Sequence, residues 1–131
     1  MSAADVRADF AVRAAECAAG GRASVHVVCP RDVHEIDMAH DIIYELSRRG
    51  AELIRRVDCA RLTFRVPIAP DRSRLCVCVI SATPAEARLE PHQHSALLVS
   101  ERDARDRLLR SELIEPLKEA KGIEVHVLAN D

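Results

Sequence analysis

The chain has 131 residues, 48% of them hydrophobic and 31% charged, which suffices to bury the core of one domain (residues 1–131), leaves too little for two, and excludes a disordered chain. Its formal charge of −2 at pH 7 excludes a global field that would draw it to nucleic acid or to an anionic membrane, so any such binding is local. The first ten residues carry Asp5, Arg7 and Asp9 where a signal peptide would be apolar, and no run approaches the roughly 18 apolar residues of a membrane span; the expected location is cytoplasmic.

Phe10, Phe64 and Tyr44 are the only aromatic residues, so the core is expected to be aliphatic. Cys17, Cys29, Cys59, Cys76 and Cys78 are odd in number and mostly embedded in apolar runs, which predicts reduced, buried thiols and no disulfide framework. The basic residues are arginine except for Lys118 and Lys121, a bias that GC-rich coding explains as well as phosphate recognition does.

Ser2 to Ala19 reads as a helix: Ser2 and Asp5 have capping-box spacing, and Val6, Phe10, Ala14 and Cys17 recur at helical intervals before Gly20 and Gly21. Ser24 to Cys29 is a buried strand stopped by Pro30. Asp32 is the expected cap of a second helix over about Val33 to Arg49, with Ile36, Ala39, Ile43 and Leu46 on its apolar face, broadened by Met38 and Ile42. Gly50 ends that helix, and Ala51 to Val57 resumes as a strand, completing a β-α-β unit of parallel strands.

Arg61 to Ile68 alternates strictly. Leu62, Phe64, Val66 and Ile68 face inward and Arg61, Thr63 and Arg65 outward, which predicts a strand with one wet face. Ala69 to Arg72 has turn chemistry, and Leu75 to Ile80 is apolar on both faces, so the pair makes a hairpin whose second strand is the more central. Thr83 to His94 is a loop or short helical turn, followed by a brief strand at Ala96 to Val99. Ser100 and Asp103 have capping-box spacing before a long helix to Lys121, with Leu109, Leu113, Leu117 and Ala120 as its core face and a kink at Pro116. Ile123 to Leu128 is the terminal strand. The expected fold is α/β with a mixed sheet in the order α-β-α-β-β-β-β-α-β, two β-α-β units plus a hairpin, the helices packed on the sheet.

Chemistry is harder to find. A glycine-rich phosphate loop, a G-x-S-x-G elbow, H-E-x-x-H and C-x-x-C are all missing from the sequence, so a cofactor is not expected and an enzyme is the less favoured reading. Asp37, His40 and Tyr44 border the apolar face of the second helix at i, i+3, i+7, a spacing that could hold a general acid or base. Such border positions ordinarily collect half-exposed polar residues, and no nucleophile is tied to the trio. Cys76 and Cys78, with His92 and His94, could supply four zinc ligands. The apolar neighbours Leu75, Val77, Val79 and Ile80 make the two cysteines read as core residues, and no metal is expected there.

The strongest asymmetry is electrostatic. Asp32, Glu35, Asp37, Asp41 and Glu45 make the second helix acidic, whereas eight arginines between Arg48 and Arg74 face only Glu52, Asp58 and Asp71. Arg55, Arg56, Arg61, Arg65, Arg72 and Arg74 are therefore the candidate partner-binding residues, suited to RNA phosphates or an acidic protein. The preferred reading is a domain that binds a macromolecular partner. The alternatives are an RNA- or DNA-binding domain using the 48–74 segment, and an enzyme centred on His40 or a reactive cysteine. A homo-oligomer through a sheet edge is compatible with all three.

Overall fold

Six strands form one mixed sheet in the order β2-β3-β4-β1-β5-β6, seen in a computed structural model that describes residues 2–84, 94–119 and 122–129. The strands are β1 (Ser24–Val28), β2 (Glu52–Val57), β3 (Arg61–Ala69), β4 (Arg72–Ser81), β5 (Ser95–Ser100) and β6 (Ile123–Leu128). β1 pairs in parallel with both β4 and β5, β5 pairs in parallel with β6, and β3 runs antiparallel between β2 and β4. The hairpin lies where β2 would otherwise meet β1, so the first β-α-β unit joins strands that run the same way without touching.

Helix α1 (Ala3–Ala19) begins with the expected capping box, the Ser2 hydroxyl accepting from the Asp5 N–H while the Asp5 carboxylate accepts from Ser2. It packs with α2 (Glu35–Ser47) on one face of the sheet, over Val25, Val27, Leu62, Phe64, Val66, Cys76, Cys78, Ala96 and Leu98. The α2 cap is His34, whose Nδ1 accepts from the Ile36 N–H at 3.1 Å; Asp32, the expected cap, sits in a left-handed turn at φ 65°. The buried stripe of α2 is Met38, Ala39, Ile42 and Leu46, while Ile43 is half-buried and Ile36 is 47% exposed. The Arg7 guanidinium reaches Asp41 at 2.6 Å and Asp37 at 3.7 Å. α1 therefore lies along the flank that adjoins Met38 and Ile42, and burial shifts toward it, away from Ile36 and Ile43.

Among the described residues the second face is covered only in part. There Val28, Leu97 and Val99 pack with Leu109 and Ile114 from the C-terminal helical segment, flanked by Leu113, Ile123 and Val125. The sequence predicts one helix here, kinked at Pro116. The segment is instead α3 (Glu101–Ala104), α4 (Arg107–Leu109), a π-turn (Arg110–Ile114) and α5 (Glu115–Glu119). Asp106 restarts the helix by capping the Leu109 N–H at 3.0 Å. Pro116 has no N–H to give an α-type bond, and the backbone absorbs the mismatch one turn earlier, where the Glu115 N–H bonds the Arg110 carbonyl five residues back. The extra residue in that turn brings Ile114 fully inward beside a half-buried Leu113. The Leu117 side chain, Ala120 and Lys121 lie outside the described residues, as does 85–93 of the expected loop.

Ile68, expected inward, is 51% exposed, because the ladder slips between Pro67 and Ala69 and ends the alternation there. β4 is interior as expected, and β5, buried at all six residues, is the most enclosed strand. No helix of the described residues is long and apolar enough to cross a membrane.

Candidate functional site

Alternation along β3 and β4 puts Leu62, Phe64, Val66, Cys76, Cys78 and Ile80 under α1 and α2, so the residues between them project to the opposite side. Over β2, β3 and β4 no described helix packs on that side. The cross-strand register sets three rows there: Val57, Arg61, Val79 and His26; Arg55, Thr63, Val77 and Ser24; Glu52, Arg65 and Leu75. Arg61 and Arg65 are four residues apart on one strand, about 13 Å at the usual strand rise.

Arg55, Arg61 and Arg65 thus share a sheet face with exposed Val57 and Leu75. Arg65 approaches Glu52 at 3.4 Å, whereas Arg55 and Arg61 have no acidic partner among the described residues. Phe64 is fully buried on the other face, so β2, β3 and β4 offer no Phe, Tyr or Trp to this surface.

The other three candidate arginines go elsewhere. Arg56 pairs with Leu62 in the ladder and turns to the Asp58 carbonyl at 3.1 Å and the Cys59 thiol at 3.5 Å. Arg72 opens β4 at the hairpin, and Arg74, opposite Val66, lies on the helix-covered side against Gly21 with its Nε buried and without a hydrogen-bond partner among the described residues.

Asp37, His40 and Tyr44 are exposed on α2 and do not form a relay among the described residues: Asp37 faces Arg7, and Arg48 lies 5.9 Å over the Tyr44 ring. Cys76 and Cys78 are fully buried on one face of β4, and their mutual interaction together with burial drives the Cys78 thiol well up. His94 is exposed at the foot of β5 in a left-handed conformation, and His92 lies outside the described residues.

Two features have no signature in the sequence. A crevice of about 880 Å³ opens beyond the carboxyl ends of the parallel strands β1, β4 and β5, lined by Arg31, His34, Thr83, Arg102, Asp103 and Arg105 among others. β1 leads from there to α2 on one face and β5 to α3 on the other, which is the switch point at which open α/β sheets hold ligands. Asp103 in this crevice has its carboxyl raised, chiefly by desolvation, and its Oδ2 finds no hydrogen-bond partner among the described residues. Strand order, which places β1 beside β5, is what creates the site.

The second feature is a polar cluster at the β6 edge under α1: Cys17, Glu124 and His126, with Arg13 and Arg22 beside them. Burial pushes the Cys17 thiol up to about 11, which favours the protonated thiol, and His126 with Arg22 holds the Glu124 carboxyl low. The alternation of Glu124 and His126 is visible in the sequence, but their meeting with Cys17 is not.

No protein-family model, curated protein or solved structure matches the chain.

Proposed function

We propose that this is a cytoplasmic, non-catalytic binding domain that uses the uncovered sheet face over β2, β3 and β4 to dock a protein presenting acidic side chains around an apolar contact. One observation carries the reading: Arg55, Arg61 and Arg65 stand in register with Val57 and Leu75 on a sheet half that no described helix covers. Guanidinium groups favour carboxylates geometrically, and Leu75 and Val57 supply the apolar contact that gives such an interface its affinity. A protein is favoured over RNA because, among the described residues, the face carries no Phe, Tyr or Trp for base stacking and a single imidazole, His26, at its β1 border. Cys17, Cys59, Cys76 and Cys78 form no disulfide among the described residues, which suits a reducing compartment.

The test is a fluorescence titration of the full chain with an acidic, leucine-containing peptide and, separately, with a mixed single-stranded oligonucleotide pool. Salt-sensitive binding to the peptide, weakened at least about tenfold in Arg61→Ser/Arg65→Ser, supports the reading. Peptide binding that ignores the double substitution overturns it. Preference for the oligonucleotides moves the assignment to nucleic acid, and concentration-dependent self-association lost in the same variant moves it to a second copy.

A second reading rests on the crevice. Its volume is in the range of small-ligand sites, and Arg31, Arg102 and Arg105 at its rim suit a phosphate or carboxylate. A thermal-shift series with sugar phosphates and nucleotides, repeated on Arg102→Ala/Arg105→Ala, tests it. Stabilisation that disappears in the variant favours this site, and stabilisation by none of the compounds counts against it.

A further inference from the structure

We propose that Cys17, Glu124 and His126 form a binding site for a transition-metal dication of the zinc class. The His126 Nε2 lies 3.7 Å from the Cys17 Sγ and 3.0 Å from the Glu124 Oε2, and one ligand atom from each residue lies within 4.8 Å of the others. Tetrahedral zinc, with bonds of about 2.0 to 2.3 Å, sets its ligand atoms about 3.3 to 3.6 Å apart. The two contacts of His126 are within a few tenths of an ångström of that spacing, and the Cys17 sulfur and the Glu124 carboxylate, no more than 4.8 Å apart, need close by at most a little over an ångström to admit the ion. This donor set selects zinc, cobalt and their neighbours over magnesium or calcium.

The ligands sit on well-anchored elements. Cys17 is in the last turn of α1, where its carbonyl accepts from the Arg22 N–H at 3.1 Å. Glu124 and His126 alternate on one side of β6, held opposite Ala96 and Leu98 of the buried strand β5. Arg22 grips the Glu124 Oε1 and leaves Oε2 turned to the site, as an outer partner does when it orients a ligating carboxylate.

Two changes accompany binding. The Cys17 thiol gives its proton to solvent as the sulfur–metal bond forms. His126 must offer Nε2 as a lone pair and carry its proton on Nδ1, where the Arg13 Nη1 now donates at 3.1 Å. Arg13 has another partner available in Glu16, whose carboxylate is 3.9 Å from its Nε, and it vacates Nδ1 by turning to it. Three protein ligands leave a fourth position for water or an added ligand. The cluster lies under α1 on the helix-covered side, so it is independent of the open face.

The experiment is a cobalt(II) titration of the reduced full chain in a non-chelating buffer, read by absorbance and followed by zinc competition. One equivalent of cobalt should produce a thiolate-to-metal charge-transfer band with the visible bands of a tetrahedral ion, and zinc should abolish both. Cys17→Ser should remove the charge-transfer band, His126→Gln should weaken binding by about tenfold or more, and Cys59→Ser should change nothing. Arg13→Ala should tighten binding, which a cluster serving only as an internal ion-pair network would not do. No band in the wild-type chain overturns the proposal, as does a band that survives in His126→Gln of unchanged circular dichroism. Should Cys17→Ser fail to fold, the His126 and Arg13 variants decide.

Discussion

The Arg65 guanidinium meets the Glu52 carboxylate at 3.4 Å across the β2–β3 ladder, the single acidic partner among the described residues for the three arginines of the open face. Both side chains are more than half exposed, so the pair adds little to stability. Glu52→Gln should therefore leave the folding free energy within about 0.5 kcal/mol while tightening the binding of an acidic peptide. Arg61→Ser/Arg65→Ser should cost no more than about 0.5 to 1 kcal/mol. Denaturant melts read beside peptide titrations should separate binding from stability, and a double variant that unfolds would make the arginines structural.

On α2, Leu46→Ala and Ile42→Ala remove fully buried side chains and should each cost about 2 to 5 kcal/mol. Ile43→Ala, at a half-buried position on the far flank from α1, should cost clearly less than either. Equal losses at Ile42 and Ile43 in urea melts would return the core face to the position that the hydrophobic periodicity alone suggests.

That contrast marks what was legible beforehand. Capping at Ser2, the alternation of β3, the hairpin turn and the interior placement of β4 are local and could be read residue by residue. The rotation of the α2 stripe could not, since it follows from α1 lying against Asp37 and Asp41. Periodicity also separated Arg61 and Arg65 from the core, but whether Arg74 joined them depended on its parity with Cys76 and on the contact with Gly21. The crevice and the Cys17 cluster depend on strand order, which joins residues roughly seventy positions apart in the first and about a hundred in the second.

Thiol reactivity should follow burial. Cys17, Cys29, Cys76 and Cys78 are buried, whereas Cys59 is half-exposed beside the Arg56 guanidinium. A disulfide reagent added to the native chain should titrate one fast equivalent, and Cys59→Ser should remove that phase; the remaining thiols should react only on unfolding. Fast reaction of Cys76 or Cys78 would contradict their place under α1 and α2.

Ser24 and Ser95 share a hydrogen bond of 2.6 Å across the β1–β5 ladder, and Ser95 is fully buried. Ser95→Ala strands the Ser24 hydroxyl and should cost about 1 to 3 kcal/mol, whereas Ser24→Ala/Ser95→Ala should cost less than the sum of the two single changes. A double-mutant cycle by chemical denaturation measures the difference. Strict additivity would mean that the two hydroxyls do not depend on one another.

Asp103 ties the crevice to acid stability. Desolvation raises its carboxyl above the ordinary 3.8, against the opposing pull of the Ser100 hydroxyl and Arg102, and its Oδ2 lacks a hydrogen-bond partner among the described residues. The folded chain therefore holds this proton more tightly than the unfolded chain does. The resulting stabilisation is fully present below 3.8 and is lost as the pH rises through the higher folded value, so at neutral pH the ionised carboxylate is a net cost. Asp103→Asn keeps the size and remains neutral throughout. Its advantage over the wild-type chain should be smallest near pH 3, grow as the pH passes through the acid range, and level off by neutral pH. Thermal melts of both chains across that range measure the difference directly. A difference that shrinks as the pH rises would show the carboxylate favoured in the folded state, through a charge partner that outweighs its desolvation.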